Sequence, residues 1–284
     1  MMKTDVMKSL FYVVSLMIMF LLSGCATGSL GTDLSIAILN QPDLEIVRDG
    51  APAYLILVDA LVERKPKDPR MLGAATQSYA LYAGLLADDQ GRARRLSARA
   101  RDYGQRALCA SNKAACGVQT MVFDDFKMTL DNIRKRDIGA LYSFTISWLL
   151  WVKTNSDDLA AIAELPKLEV ALQRILELDE EYKMGTAHVY MGILKTLRPP
   201  MLGGKPDEAR RHFERAIELS GGRNLGAKVD FARNYARMMY DRQLHDRLLD
   251  EVLKADPEAP GLTLLNNMAK RDAIKLLKDA DEYF

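Results

Sequence analysis

The sequence predicts an all-α fold of stacked antiparallel helix pairs. Apolar residues recur at i, i+3, i+4 and i+7 through most of the chain, a spacing that gathers them on one face of an α-helix. Ala, Leu, Glu, Lys and Arg dominate these segments, and the alternating β-branched runs typical of strands are missing. Gly and Pro fall between the periodic segments, where they end helices.

The helices follow one another from residue 46 almost to the C-terminus. They are predicted over residues 46–64, 70–87, 92–109, 119–135, 138–153, 167–178, 184–197, 206–219, 227–240, 243–255 and 261–282. A short turn is expected between Asp157 and Glu164. The breaks between helices contain Pro66 and Pro69, Pro199 and Pro200, Gly203 and Gly204, Gly221 and Gly222, and Pro257 and Pro260. Short connections favour antiparallel neighbours.

The spacing of small residues indicates degenerate tetratricopeptide-like repeats, which form an α-solenoid. Four predicted second helices carry small, aromatic or other apolar residues at i, i+4 and i+7, where close neighbours must fit. These positions are Ala100, Gly104 and Ala107; Ala171, Ile175 and Leu178; Ala209, Phe213 and Ala216; and His245, Leu249 and Val252. The intervals between these sets are 71, 38 and 36 residues. The last two lie near the repeat length of about 34 residues, and the first allows two repeats.

The N-terminus has the pattern of a lipoprotein signal peptide. Lys3 and Lys8 precede an uncharged apolar run from Leu10 to Leu22, which is too short to span a bilayer. Leu22-Ser23-Gly24-Cys25 is a lipobox, so residues 1–24 are predicted to be removed and Cys25 to be acylated. Met7 is an alternative start. A short hydrophobic N-terminus with a chance cysteine is the other interpretation.

The domain organisation follows from this processing. Residues 25–44 are predicted to form the lipidated N-terminus and a flexible tether, and residues 45–284 a single helical domain. Loss of residues 1–24 removes two basic residues and one acidic residue, and leaves 37 of each. A net charge of zero argues against nucleic acid as a partner and against a polybasic membrane footprint.

Cys109 and Cys116 would remain in an oxidising compartment after export. Six residues separate them, so a disulfide closing a small loop is the preferred interpretation. Two unpaired thiols are the alternative. A metal site is not expected there, because no His, Asp or Glu lies between the two cysteines.

No motif for catalysis or for a cofactor occurs in the sequence, and an enzyme is not expected. The three histidines, His188, His212 and His245, form no His-Glu-x-x-His pattern, and the carboxylates are scattered among Lys and Arg. Gly203-Gly204 lacks the spacing of a phosphate-binding loop and is interpreted as a turn between helices.

A basic run occupies the third predicted helix. It consists of Arg92, Arg94, Arg95, Arg99 and Arg101. The run is interpreted as a solvated helix face, with a docking patch for an acidic partner as the alternative.

Three stretches resemble the TatT family, the tetratricopeptide-repeat-like T component of TRAP transporters. The first runs from Gly185-Thr-Ala-His188 through Gly192 to Leu202-Gly-Gly-Lys-Pro-Asp-Glu-Ala209 and on to Phe213, Ala216 and Ser220. The second contains Ala140-Leu-Tyr142, Trp148, Trp151 and Ile162 to Pro166. The third is the final helix, from Leu265-Asn266 to Phe284. Gly-Gly-Lys-Pro-Asp departs slightly from the Gly-Gly-Asp that is frequent in the family.

The resemblance implies a periplasmic lipoprotein of cryptic repeats that assembles as a homotrimer. It also implies a TRAP substrate-binding subunit as partner, and a cleft or pore that holds or passes an apolar small molecule. Ala26 is not the aspartate that retains lipoproteins at the inner membrane, which favours the outer membrane as the site of the lipid anchor.

Aromatic and Met residues on the predicted first helices are candidates for the lining of such a cleft, because these side chains suit adaptable apolar ligands. The candidates are Tyr142, Trp148, Trp151, His188, Met191, Tyr235, Met238 and Met239. Each could instead fill the core between helices. A structural scaffold lipoprotein of envelope assembly, without a small-molecule ligand, is therefore the alternative function.

Overall fold

The computed structural model describes residues 30–87, 89–198, 201 and 203–284, in which helices are joined by short turns and no strand occurs. The α-helices are α1 (Leu30–Leu39), α2 (Leu44–Arg64), α3 (Pro69–Leu81), α4 (Gln90–Ser111), α5 (Phe123–Asp131), α6 (Ile138–Thr154), α7 (Leu159–Ile162), α8 (Leu165–Asp179), α9 (Thr186–Thr196), α10 (Pro206–Leu219), α11 (Leu225–Asp230), α12 (Arg242–Lys254), α13 (Thr263–Lys278) and α14 (Ala280–Tyr283). Two π-helical segments, Tyr82–Leu86 and Phe231–Ala236, continue α3 and α11. The predicted all-α class is confirmed.

Aspartate N-caps explain where many of the helices begin. The Asp43 side chain accepts hydrogen bonds from the first backbone amides of α2, and Asp68, Asp89 and Asp158 do the same for α3, α4 and α7. These bonds satisfy amides that have no partner within the helix. Pro69 follows its cap directly, at a position where a missing N–H costs nothing.

The largest difference from the predicted helices lies between residues 119 and 135. A 3₁₀ turn, Val118–Thr120, precedes α5, and a second 3₁₀ turn, Lys135–Asp137, follows it. Val118, Phe126 and Leu130 are nevertheless all fully buried. The helical spacing of apolar residues was therefore real, but a chain with two turns satisfies it as well as one continuous helix.

The segment predicted as a flexible tether contains a helix. Helix α1 packs against α3 and α13, and the backbone N–H of Gly261 donates to Asn40 Oδ1 at 2.6 Å. Residues 1–29, with the lipobox and Cys25, lie outside the described residues, as do Pro199 and Pro200. No helix in the part of the chain that the structure describes is long and apolar enough to cross a membrane.

Small residues mark the closest contacts between helices. A Cβ atom on Gly192 of α9 would lie 2.9 Å from ring carbons of Phe213 on α10. A Cβ atom on Gly104 of α4 would lie 2.5 Å from Ser147 Oγ and 3.0 Å from the Cα of Phe144, both on α6. The helices can approach this closely only because no side chain separates them.

The buried residues form three successive clusters along the chain. The first joins α2, α3 and α4, the second centres on α5 to α9, and the third on α9 to α13. Contacts between neighbouring units are typical of a solenoid. Leu264 at the start of α13 belongs to the first cluster, and Arg271 of α13 lies 3.5 Å from Glu45 of α2. The last long helix therefore returns to the N-terminal helices and closes the stack.

Cys109, near the end of α4, and Cys116 lie on either side of a 3₁₀ turn, Lys113–Ala115. Their Cα atoms are 4.3 Å apart, and their sulfur atoms lie at bonding distance, 1.97 Å. The loop thus places the two thiols where a disulfide requires them.

Candidate functional site on the concave wall

Helices α6, α9 and α11 carry residues at one shared set of offsets, i, i+4, i+7, i+8 and i+11, most of which are half-buried at the edge of the core. The members are Tyr142, Ile146, Leu149, Leu150 and Lys153 on α6; Thr186, Tyr190, Ile193, Leu194 and Leu197 on α9 and just beyond it; and Gly226, Asp230, Arg233, Asn234 and Arg237 on α11 and its continuation. All are half-buried except Lys153 and Leu197, which are exposed. We call this surface the concave wall.

Charged groups from three helices act on one another across the wall. Lys153 of α6 and Asp230 of α11 interact electrostatically, although α9 lies between these helices in the chain. Asp230 is also influenced by Asp272 of α13. Lys153, Asp230 and Asp272 therefore lie near one another on one side of the stack.

The apolar part of the wall is centred on tyrosines. The rings of Tyr142 and Tyr182 meet edge to face with centroids 5.4 Å apart, and Tyr182 Oη lies 3.2 Å from where a Cβ on Gly139 would be. The Tyr142 hydroxyl also faces the side chain of Thr186. Tyr182, which lies against Gly139, and Thr186 at the start of α9 thus restrict the orientation of the Tyr142 ring.

The charged part of the wall lies on α11 and its π-helical continuation. The guanidinium of Arg233 donates to Asp230 at 3.0 Å and also binds Asp272. The guanidinium of Arg237 donates to the carbonyl of Leu276. One end of the wall therefore carries a connected ion-pair network, whereas the α6 and α9 faces are mainly apolar.

Burial shifts the pKa values of three groups on the wall. Burial raises the pKa of Tyr142 well above its usual range, and burial together with the charge of Asp230 raises the pKa of Tyr190 to about 12. Burial also raises the pKa of Asp230, although Arg233 and Lys153 oppose the shift. Groups that retain some accessible surface yet are this strongly desolvated have their polar atoms packed among other side chains.

A strained turn supports the wall between α8 and α9. Lys183, Met184 and Gly185 all have positive φ, at 52°, 55° and 69°. Left-handed backbone costs a non-glycine residue about 1–2 kcal/mol. Glycine is needed at position 185 for a second reason, because a Cβ there would lie 2.7 Å from the Leu219 side chain. This left-handed turn (Lys183–Gly185) directly follows Tyr182 and leads into Thr186, two residues that contact Tyr142.

The structure keeps Tyr142 on the wall but places both tryptophans elsewhere. Trp148 is fully buried between Phe126 and Phe144. Trp151 lies under the guanidinium of Arg101, 4.0 Å from its ring centroid. Trp151 follows Tyr142 by nine positions, about 180° around a helix, so these two rings point to opposite sides of α6.

The remaining predicted lining residues are also distributed between the core and the outer surface. Met191 and Tyr235 are buried in the core clusters. His188 is 8% exposed and faces α10, where its Nδ1 lies 2.8 Å from Nδ1 of His212. Met238 is half-buried, and Met239 is 42% exposed. Of the eight candidate residues, the concave wall contains Tyr142.

Sequence reasoning missed Tyr182, Tyr190, Asp230 and Arg233. The shared offsets on three successive first helices were a usable signal, since they identify the inward face without reference to residue type. Residue type alone was misleading because charged members of the wall resemble an ordinary solvated face.

The basic run of α4 is largely occupied by internal contacts. Arg94 binds Asp157 through both carboxylate oxygens, at 2.6 and 2.7 Å, and Arg99 binds Asp59 at 3.4 Å. Arg92 lies over the ring of Tyr82 at 5.0 Å, and Arg101 lies over Trp151. The run is therefore neither a uniformly solvated helix face nor an open docking patch.

A recess of about 510 Å³ lies where α8, α9 and α10 meet. It is lined by Glu180, His188, Glu208, Arg211, His212 and Arg215. Among the described residues, no three or more His, Cys, Asp or Glu side chains are grouped so that they could hold a metal ion. The imidazoles face each other, and Glu180 and Glu208 pair with cations.

Residues 40–284 match the family model described as the TRAP transporter T-component. The chain belongs to this family. No curated protein matches it significantly. The matched range contains every helix of the concave wall and the recess at α8–α10, but it begins after Cys25. Membership in the T-component family supports an accessory role in a TRAP transport system.

Proposed function

We propose that this T-component is a periplasmic lipoprotein that docks the substrate-binding subunit of its TRAP system and holds or passes an apolar small molecule. The observation that carries the ligand part is the concave wall, whose α6 and α9 faces are apolar and half-buried. The family match supports the transport part. The lipobox before Cys25 supports the periplasmic location and the lipid anchor.

The chemistry of the wall suits such a ligand. Tyr142, Tyr190 and their aliphatic neighbours supply a large apolar area, and the tyrosine hydroxyls supply a few oriented polar groups. The Asp230–Arg233–Asp272 network lies at one end and would orient a ligand by the position of its polar atoms. The wall contains no arrangement of nucleophile and base, so we propose binding without catalysis.

Docking and assembly form the second part of the proposal. Three copies related by closed symmetry would offer three equivalent docking surfaces to substrate-binding subunits. Sedimentation of the mature protein should therefore give the mass of a homotrimer. A monomer at every concentration would contradict the proposed assembly without affecting the ligand site.

Native mass spectrometry of the protein purified from its own host tests the ligand directly. We expect an apolar small molecule to co-purify with the wild type, and Tyr142→Ala and Tyr190→Ala to reduce its occupancy. Tyr240→Ala is the matched control, because Tyr240 is 73% exposed and is not part of the wall. Helical circular dichroism should be unchanged in all three variants.

Pull-down with the purified substrate-binding subunit tests the partner. Capture by the wild type is expected. If no subunit is captured and no small molecule co-purifies, the scaffold function becomes the better explanation.

A further inference from the structure

Two residues of α10 hold the residues on either side of the left-handed turn (Lys183–Gly185). Arg215 binds Glu180, five positions before Gly185, at 2.5 Å. His212 binds His188, three positions after Gly185, through the two Nδ1 atoms at 2.8 Å. His212 and Arg215 are three residues apart and thus share a helix face. The strained turn is therefore fastened to α10 from both ends.

We propose that the His188–His212 pair is a proton-controlled clamp, which holds the left-handed turn when at most one imidazole is protonated and releases it when both are. The geometry carries this inference. A hydrogen bond between two Nδ1 atoms needs one nitrogen with a proton and one without, so a doubly protonated pair cannot make it. Two positive rings at this distance would also repel each other.

The charged groups around the pair do not offset the positive charge that a second proton would add. Glu180 Oε2 lies 3.5 Å from His188 Nε2, but Arg215 already binds the Glu180 carboxylate. Glu208 faces His212 and is bound by Lys195 at 3.0 Å and Lys205 at 3.2 Å. Arg211 also faces His212. One proton can be stabilised through Glu180, whereas a second would meet mostly cations.

The direction of the titration agrees with this geometry. Burial lowers the pKa of His188, with Glu180 opposing the shift. Burial, followed by the charge on His188, lowers the pKa of His212 from 6.5 to about 4. Because the folded values lie below the unfolded value, the unfolded or opened state binds more protons in acid. The stability that depends on the clamp is complete above pH 6.5 and is lost as the pH falls towards 4.

Opening of the clamp would also affect the concave wall, because residues on both sides of the turn face Tyr142. Tyr182 precedes the turn and packs against Tyr142, and Thr186 follows it and faces the Tyr142 hydroxyl. The Thr186 hydroxyl also donates to the carbonyl of Lys183 at 2.6 Å. Release of the strained backbone would therefore free the Tyr142 ring. The clamp itself does not depend on the proposed transport function.

Histidine-selective NMR and amide hydrogen exchange on the full mature protein test the proposal. We expect His188 and His212 to titrate below the ordinary histidine value. Amides of residues 183–190 should lose protection by on the order of tenfold between pH 7 and pH 5, after correction for intrinsic exchange. His212→Gln, which cannot gain the second charge, should clearly reduce this pH dependence and leave only the part that comes from His188.

Glu214→Gln is the matched control, because Glu214 lies on the exposed face of α10 and pairs with Arg210. It should leave the pH dependence of the wild type intact. A His212 midpoint at or above 6.5 would overturn the proposal, and so would an equal loss of protection in wild type and His212→Gln. The wild-type titration decides the matter even if the variant does not fold.

Discussion

Gly192 lies in van der Waals contact with the ring of Phe213, and a Cβ at Gly192 would lie 2.9 Å from two ring carbons. Phe213 is fully buried and also stacks on Phe231, with centroids 5.1 Å apart. The ring cannot retreat, because the third core cluster surrounds it. The contact between α9 and α10 therefore depends on the absence of a side chain at position 192.

Gly192→Ala should destabilise the protein by about 1–3 kcal/mol through overpacking. The matched control is Gly50→Ala in α2, where no atom lies within 4 Å of the added Cβ. That substitution should be neutral or stabilise by up to about 1 kcal/mol, since alanine favours helix. Urea unfolding measures the unfolding free energy of both variants. Equal changes in the unfolding free energy of the two variants would show that the Phe213 ring does not exclude a side chain at position 192.

Arg101→Lys should destabilise the protein by about 1 kcal/mol. The Arg101 guanidinium covers Trp151 at 4.0 Å and also faces Trp148 at 5.3 Å, and an ammonium group cannot stack in this way. Arg95→Lys on the exposed side of α4 is the control and should change the unfolding free energy little. Tryptophan fluorescence should also shift in Arg101→Lys alone, because both indoles lie beside this guanidinium.

Cys109 and Cys116 should be recovered as one cross-linked peptide in non-reducing peptide mapping of protein purified from the native host. Reduction should lower the unfolding free energy by about 2 kcal/mol, because the bond closes a short loop. The variant Cys109→Ser/Cys116→Ser should behave like the reduced protein. Complete alkylation of both thiols without reductant would establish unpaired cysteines.

The mature protein should begin at an acylated Cys25. Intact mass of protein from the native host measures this, and Cys25→Ala should abolish membrane attachment. Cys109→Ala is a suitable control, since it removes a cysteine without touching the lipobox. An unmodified residue 25 in mature protein would exclude the lipid anchor.

The sequence predicted the helices and their close contacts well because both depend on local patterns. The small residues Gly192, Ala209 and Ala216 are buried where α9 and α10 meet, as their spacing implied. The boundaries of α5 were less predictable, since buried apolar spacing does not distinguish one helix from a helix flanked by 3₁₀ turns.

The candidate site was only partly predictable. Tyr142 was found because an aromatic residue on a first helix is conspicuous, but the same criterion selected Trp148, which fills the core. Asp230 and Arg233 carried no signal, because a pair of opposite charges looks the same on a wall as on an open surface. The left-handed conformation of Lys183 and Met184 was also invisible, since only Gly185 favours it.

The return of α13 to the N-terminal helices changes how the repeat array can come apart. An open array can fray from either end, because a terminal unit has only one neighbour. Here Leu264 of α13 packs into the first cluster. Gly261, just before α13, donates to Asn40, and Arg271 of α13 pairs with Glu45. Each end of the array thus covers apolar surface of the other. Unfolding should be cooperative over the whole array, and removal of residues after 260 should expose apolar surface at both ends at once.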